Sequence, residues 1–91
     1  MNICAIIPAY NEEKTIGQII DTLKKVDIIN EIIVVSDGSE DNTAQIAGEH
    51  QATVIELPKN MGKGAAIKAG VEASKGDVLL FLDADLIGLK E

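Results

Sequence analysis

The sequence predicts an α/β fold, a three-layer α/β/α arrangement with a parallel sheet of four strands and three helices. Two patterns in the 91 residues support this prediction. Short, continuously apolar runs are typical of strands buried on both faces, and they alternate with segments whose apolar residues recur every three or four positions, as in amphipathic helices. The connections are short, which favours right-handed crossovers between parallel strands.

Four strands are predicted, at residues 3–7, 32–35, 53–57 and 78–82. Pro8 has no N–H to continue a ladder and is therefore predicted to end the first strand. The third strand alternates apolar and polar residues, which indicates a more exposed face. The fourth ends in four consecutive apolar residues and is predicted to be buried on both faces.

Three helices are predicted between these strands. Asn11 is expected to cap the first helix, with acidic residues in its first turn. Asp41 or Asn42 is expected to cap the second, and Gly48 to close it. The third helix carries four alanines and is expected to stop at Gly76.

Composition disfavours several classes of protein. Eight basic and fifteen acidic residues give a net charge of −7, which argues against a nucleic-acid or anionic-membrane surface. No apolar stretch approaches the roughly 20 residues that span a bilayer, and the start does not resemble a signal peptide, so a cytoplasmic location is expected. The single cysteine, Cys4, is predicted to be buried, and His50 to be an isolated surface residue.

Polar clusters follow the strands at their carboxyl ends, where parallel sheets bind ligands. After the fourth strand, Asp83 and Asp85 are separated by one small residue, so in an extended backbone their side chains point the same way. Two such carboxylates suit Mg²⁺ or Mn²⁺, with phosphate oxygens and water completing the shell. A pair of solvated turn carboxylates is the alternative for this motif taken alone.

Three further clusters have both a structural and a functional interpretation. Glu12 and the Pro8–Ala9 backbone are placed to face a ribose or base, although residues 10–12 also suit a helix cap. Asp37 can accept hydrogen bonds from a nucleobase, although Asp-Gly-Ser is also a common turn. Lys63 at a helix start suits an anion. The segment is not a P-loop, because Gly64 stands where that motif has Ser or Thr.

Taken together, the motifs resemble the family 2 inverting glycosyltransferases, in particular polyprenyl (dolichyl) phosphate mannosyl- or glucosyltransferases and glucosyl-3-phosphoglycerate synthases. The matching segments are residues 8–12, 34–43, 60–65 and 83–85. The resemblance implies the Rossmann-like first half of a GT-A fold, a nucleotide-diphospho-sugar donor such as a UDP- or GDP-sugar, and Mg²⁺ or Mn²⁺. In this chain Ser36 stands where many members of that family carry the first of two acids.

The resemblance also implies roles for individual residues. The expected nucleotide-sugar-binding residues are Pro8, Ala9, Tyr10, Glu12, Asp37, Lys63 and Asp83. Asp85 is the expected metal ligand, with Asp83 beside it. The expected domain is residues 1–91, the donor half of a transferase without the acceptor half and its general base, so metal-dependent nucleotide binding with little transfer is expected.

Two alternatives remain open at the level of sequence. One is a noncatalytic nucleotide-binding or structural fragment without turnover. The other is a receiver-like phosphoacceptor, which is weaker because Pro8, Ala9 and Tyr10 stand where its paired acids belong. The fourth strand is expected to have an unpaired flank, and the apolar residues after it are expected to lack partners (Leu86, Ile87 and Leu89). A homo-oligomer through this exposed sheet edge is therefore predicted.

Overall fold

A computed structural model describes residues 2–83. The elements are β1 (Ile3–Ala9), α1 (Ile16–Lys24), β2 (Glu31–Asp37), α2 (Thr43–Glu49), β3 (Thr53–Leu57), α3 (Lys63–Ala73) and β4 (Val78–Phe81). The predicted alternation of four strands and three helices is therefore confirmed. The expectations for Asp85, Leu86, Ile87 and Leu89 lie outside the described residues.

The four strands form one parallel sheet in the order β3-β2-β1-β4. The chain first builds outward from β1 through β2 to β3, and then returns to add β4 on the other side of β1. Strand order thus reverses between β1 and β4. In open parallel sheets a crevice at the carboxyl ends of the strands opens at such a reversal, and it is the usual ligand site.

Helices cover both faces of the sheet, as predicted. On one face Ile7 of β1 and Val34 of β2 belong to a buried cluster with Ile16 and Ile20 of α1. On the other face β1 and β2 contribute to a second cluster with Ala66 of α3. Adjacent residues of each strand point to opposite faces, so continuous apolar runs serve both clusters at once.

The first strand is longer than predicted, because β1 continues through Pro8 to Ala9. The carbonyl of Ile6 accepts a hydrogen bond from the backbone N–H of Leu82 at 3.0 Å. In a parallel strand, the backbone groups of residues two apart point to the same neighbouring strand. Pro8 lies two residues after Ile6, so its backbone points towards β4, at a level beyond Phe81, the last residue of that strand. The missing N–H of proline therefore costs no ladder hydrogen bond.

The predicted start of the first helix is wrong. The residue before α1 is Thr15, and Asn11 lies four residues earlier with φ of 53°. The Asn11 side chain accepts a hydrogen bond from the Glu40 backbone N–H at 2.8 Å, and the Asn11 N–H donates to Ser39 Oγ at 3.0 Å. Asparagine side chains often bond to backbone groups in this way instead of capping a helix, and here Asn11 joins two loops.

The other helices differ from prediction at their ends only. Asn42 occupies the cap position of α2, but the carboxylate that accepts the Thr43 backbone N–H, at 2.9 Å, belongs to Asp41. Helix α2 ends at Glu49, one residue beyond Gly48, and α3 ends before Ser74 rather than at Gly76. Within residues 2–83, none of the helices has the length and apolar character needed to cross a membrane.

The fourth strand is not buried on both faces as predicted. It lies at an edge of the sheet, and Val78 and Phe81 are 36% and 51% exposed. The reason is positional, since both helix layers of the described chain centre on β1 and β2. The homo-oligomer expected through this edge stays a prediction.

Two further predictions concern Cys4 and His50. Cys4 is fully buried, which confirms that prediction. His50 is not a simple solvated residue, because its Nδ1 lies 2.8 Å from an Asp21 carboxylate oxygen and its ring lies against Gly17. A side chain at Gly17 would meet that ring, so the glycine leaves the space in which the imidazole packs.

Candidate functional site

A cavity of about 70 Å³ lies at the carboxyl ends of the strands, next to the reversal between β1 and β4. Its lining comes from the end of β1 and the residues that follow it, from the last residue of β2, from the first residue of α3 and from the segment after β4. The lining residues are Pro8, Ala9, Tyr10, Glu12, Asp37, Lys63 and Asp83. These are the seven residues expected from sequence to bind a nucleotide-sugar, and the fold brings all of them to one place. Asp85 lies outside the described part of the chain.

The end of β1 contributes the wall and the rim of the cavity. Ala9 is buried, whereas Tyr10 is 44% exposed. The Glu12 backbone N–H donates to Thr43 Oγ1 at 2.8 Å, and the Thr15 hydroxyl donates to the Glu12 carboxylate at 3.4 Å. Glu12, which lines the cavity, is therefore held at both its backbone and its side chain.

Thr43 is a residue of the site region that the sequence analysis did not single out. It is completely buried, and its hydroxyl donates to the Asp41 carboxylate while accepting from Glu12. The sequence signal was the Asp-x-Thr spacing, which permits a carboxylate–hydroxyl contact at the start of a helix. Nothing local indicated that the same hydroxyl reaches a loop 31 residues away.

Asp37, at the end of β2, is 5% exposed. Its Oδ1 accepts the Met61 backbone N–H at 2.7 Å, and its Oδ2 accepts the Gly62 N–H at 3.0 Å. These two backbone groups stand immediately before α3. The carboxylate thus ties the end of β2 to the start of α3.

Lys63 and Asp83, which both line the cavity, form an ion pair. Lys63 is the first residue of α3, and Asp83 lies two residues beyond β4. The ammonium is about half exposed and the carboxylate is a quarter exposed, so solvent reaches both groups. The cavity therefore offers a cation and carboxylates side by side, a combination suited to a phosphate bound together with a metal ion.

A second and larger cavity, of about 500 Å³, adjoins the first and shares Tyr10 with it. It is formed by the loops after β2 and β3, and Gly38 is at their contact. The remaining lining residues are Ser39, Glu40, Glu56, Leu57, Pro58, Lys59 and Asn60. The sequence predicts the two loops but not a cavity between them, because their approach depends on the neighbouring positions of β2 and β3 in the sheet.

Asp83 is the residue of the predicted metal site that lies among the described residues. Asp83 offers carboxylate oxygens, the ligand type preferred by Mg²⁺ and Mn²⁺. Between residues 2 and 83 there is no group of three or more His, Cys, Asp or Glu residues placed to hold a metal ion. Mg²⁺ is commonly held by one or two carboxylates together with substrate phosphates, so Asp83 fits such a site as one ligand.

The fold and this cavity define an α/β protein of the class that binds ligands at a reversal of strand order. Comparison with known proteins identifies the family. The sequence model of the family described as glycosyl transferase family 2 matches residues 4–91, so the chain belongs to that family. The predicted resemblance is therefore confirmed.

Two curated relatives illustrate the similarity. The chain is 42% identical over 94 residues to a dolichyl-phosphate beta-glucosyltransferase from Trichomonas vaginalis, an alignment that covers 88% of this chain and 28% of the relative. It is 35% identical over 94 residues to a glucosyl-3-phosphoglycerate synthase from Mycolicibacterium smegmatis, covering 93% of this chain and 31% of the relative. The chain thus spans less than a third of the length of these relatives.

Solved structures support the predicted GT-A fold. A glucosyl-3-phosphoglycerate synthase from Mycobacterium tuberculosis, crystallised with Mn²⁺, UDP-glucose and phosphoglyceric acid, superposes with a TM-score of 0.80 at 35% identity. The match covers 91% of this chain and 33% of that one. Another crystal of the same synthase contains Mg²⁺ and UDP. The prediction of a parallel α/β sheet belonging to a GT-A glycosyltransferase is confirmed.

Proposed function

We propose that this chain binds the nucleotide-diphospho-sugar donor, together with Mg²⁺ or Mn²⁺, in an inverting glycosyltransferase. The observation that supports this most is the convergence of seven residues from four separate segments on one cavity. The segments are far apart in sequence, and the cavity lies where the topology favours a ligand. Similarity to a synthase whose crystals contain UDP-glucose and Mn²⁺ gives the same class of ligand.

The residues are assigned to parts of the donor by their chemistry. The Pro8–Ala9 segment, Tyr10 and Glu12 are proposed to contact the nucleoside, where a fixed carboxylate suits the ribose hydroxyls. Lys63 is proposed to contact the diphosphate, since an ammonium at a helix start offers charge and is flanked by backbone N–H groups. Asp37 completes the same site at the end of β2.

Asp83 is proposed to hold the metal, with Asp85 as the main ligand on the basis of sequence. A bound divalent cation supplies positive charge that stabilises a departing nucleoside diphosphate. Lys63 lies beside Asp83 and supports the same charge distribution from the protein side. The described residues then bind and orient the donor, and the reaction proposed for the whole protein is direct displacement at the anomeric carbon with inversion.

Titration calorimetry with UDP, UDP-glucose, GDP and GDP-mannose, with and without MnCl₂, tests this proposal. Binding of at least one nucleotide that requires Mn²⁺ is the expected result, and Asp83→Asn should weaken it by at least about tenfold. Asp77→Asn is a matched control, because it makes the same substitution just before β4, at the amino ends of the strands, where the Asp77 carboxylate accepts the Asn2 backbone N–H. It should leave the affinity unchanged.

The opposite results are equally informative. A folded protein that binds none of these nucleotides in the presence of Mn²⁺ would contradict the proposal and favour a structural fragment. Binding that is identical with and without the metal would remove Asp83 from the role of metal ligand. Binding without sugar transfer by the whole protein would favour a noncatalytic nucleotide-binding module over a transferase.

A further inference from the structure

Hydrogen bonds join the β1 loop, residues 10–15, to the β2 loop, residues 38–43, which includes the first residue of α2. Residues 11–13 precede α1, so their backbone N–H groups need acceptors from outside that helix. All three N–H groups donate to side-chain oxygens of the β2 loop. The pairs are Asn11 with Ser39 Oγ at 3.0 Å, Glu12 with Thr43 Oγ1 at 2.8 Å, and Glu13 with Asp41 Oδ2 at 3.2 Å.

The contacts between the two loops also run in the other direction. Asn11 Oδ1 accepts the Glu40 backbone N–H at 2.8 Å, and Glu13 Oε1 accepts the Asn42 backbone N–H at 3.1 Å. Each loop therefore satisfies backbone groups of the other, so a shift of either loop would break several hydrogen bonds at once.

Thr43 is the completely buried member of this network. Its hydroxyl donates its one proton to the Asp41 carboxylate, which leaves the oxygen to accept the Glu12 N–H. The same carboxylate accepts the Thr43 backbone N–H at 2.9 Å, so Asp41 orients the hydroxyl. Loss of a buried acceptor leaves its donor unsatisfied, which costs more than loss of an exposed hydrogen bond.

The network holds one part of the cavity lining. Tyr10 and Glu12 line the cavity and belong to the β1 loop, whereas Thr43 lies behind that loop and is not a lining residue. Lys63 and Asp83, which are assigned to the diphosphate and the metal, are carried by α3 and by the segment after β4. A disturbance at Thr43 should therefore reach the nucleoside contacts before it reaches the diphosphate contacts.

We propose that Thr43 is a positioning residue for the nucleoside, which holds the backbone of residues 11–13 so that Tyr10 and Glu12 stand at the cavity. Asp41 supports it by orienting the hydroxyl. This inference rests on the proposed donor site and names a residue on which that site depends, although the residue does not line the cavity. Binding of the nucleoside part should require the Thr43 hydroxyl, and binding of the diphosphate part should not.

Thr43→Val tests this inference, because it replaces the hydroxyl with a methyl group at nearly constant size. Titration calorimetry with Mn²⁺ uses the nucleotide that the wild type binds, UDP or GDP, and inorganic pyrophosphate as the second probe. The Kd of the nucleotide is expected to rise about tenfold, whereas that of pyrophosphate should stay within about twofold. In the nucleotide-free protein, the Glu12 amide proton should move upfield and exchange faster with solvent.

Two further variants separate positioning from a general loss of stability. Thr43→Ser retains the hydroxyl, so its nucleotide Kd should return to within about threefold of the wild type. Ile20→Val lowers thermal stability by opening a small cavity in the buried cluster under α1, and it should leave the Kd of the nucleotide unchanged. This comparison is decisive with the nucleotide alone.

Asn11→Gly keeps the question testable where Thr43→Val fails to fold. Glycine accepts the φ of 53° at this exposed position, and the substitution removes the acceptor of the Glu40 N–H. The β1 loop is then loosened from its other side. The nucleotide Kd should rise about threefold, with an unchanged Kd for pyrophosphate.

Selective loss of nucleotide affinity that Thr43→Ser reverses supports the inference. Equal weakening of nucleotide and pyrophosphate would overturn it, because Thr43 would then support the whole site through stability. An unchanged nucleotide Kd in Thr43→Val, or a loss matched by Ile20→Val, would overturn it as well. A wild type that binds neither UDP nor GDP contradicts the proposed function itself, a result distinct from wild-type binding that Thr43→Val leaves intact.

Discussion

Lys63 at the first turn of α3 and Asp83 after β4 form an ion pair that closes one side of the cavity. The two residues are 20 positions apart in sequence and come together because β4 pairs with β1 while α3 packs on the same sheet. In the proposed site, Asp83 binds a metal and Lys63 a diphosphate. If that proposal holds, Lys63 and the cation are expected to compete for the Asp83 carboxylate until the diphosphate is present.

Lys63→Met tests this competition. Without nucleotide, Mn²⁺ affinity should rise by about threefold, because the removed partner is a half-exposed ammonium of modest electrostatic strength. With Mn²⁺ present, affinity for UDP or GDP should instead fall by about tenfold, since a charged contact to phosphate is lost. Both are measured by calorimetry. Lys68→Met makes the same charge change at an exposed position on the same helix and should alter neither value.

Two separate glycine-to-alanine variants test the contact between the loops after β2 and β3. Gly38→Ala should destabilise the protein by at least ~2 kcal/mol, because of its positive φ and of the backbone atoms 2.2 Å from the new Cβ. Gly48→Ala in α2 meets nothing within 4 Å and should be neutral or stabilising by up to ~1 kcal/mol. Urea unfolding measures both. Equal stability of the two variants would disprove the close loop packing.

Asp41 should make stability depend on pH in the acid range. Burial raises the pKa of Asp41, but hydrogen bonds from the Thr43 hydroxyl and from the Thr43 and Glu13 backbone outweigh it and lower the pKa below its ordinary value. The residue therefore stabilises the fold above its unfolded-state pKa, and this contribution is lost as the pH falls through the folded-state value.

Asp41→Asn is accordingly expected to lose about 1–2 kcal/mol of unfolding free energy at pH 7. The difference from wild type should shrink steadily as the pH is lowered below about 4, where the wild-type carboxyl also becomes protonated. Urea titrations at several pH values provide the measurement, and exposed Asp27→Asn is the control. A difference that stays constant down to pH 2 would show that the charge of Asp41 is irrelevant.

Cys4 should be unreactive in the native protein. Burial of the thiol raises its pKa, and nearby Glu31 raises it further, although a hydrogen bond with Ser74 acts in the opposite direction. Thiolate is the reactive form, so an aromatic disulfide reagent at pH 8 should modify Cys4 only as fast as the protein opens. Labelling in urea should be complete and rapid. Equally fast labelling of the native protein would show that β1 is accessible to solvent.

Much of the fold follows from local pattern. The continuously apolar runs and the three- to four-residue spacing of apolar positions predicted all four strands and all three helices in the right order. The boundaries were less certain, because Pro8 is tolerated only where β4 has ended, and Asn11 bonds to a neighbouring loop instead of capping a helix. Neither fact is contained in the residues adjacent to those positions.

The candidate site shows the same division. The sequence alone predicted which residues line the cavity, since polar residues at the carboxyl ends of parallel strands share one side of the sheet. Only the tertiary structure decided how they are used, pairing Asp37 with amides 24 and 25 residues away and Lys63 with Asp83. Hydrophobic periodicity is a property of neighbouring residues, whereas the partner of a buried carboxylate is set by which strands and helices become neighbours in space.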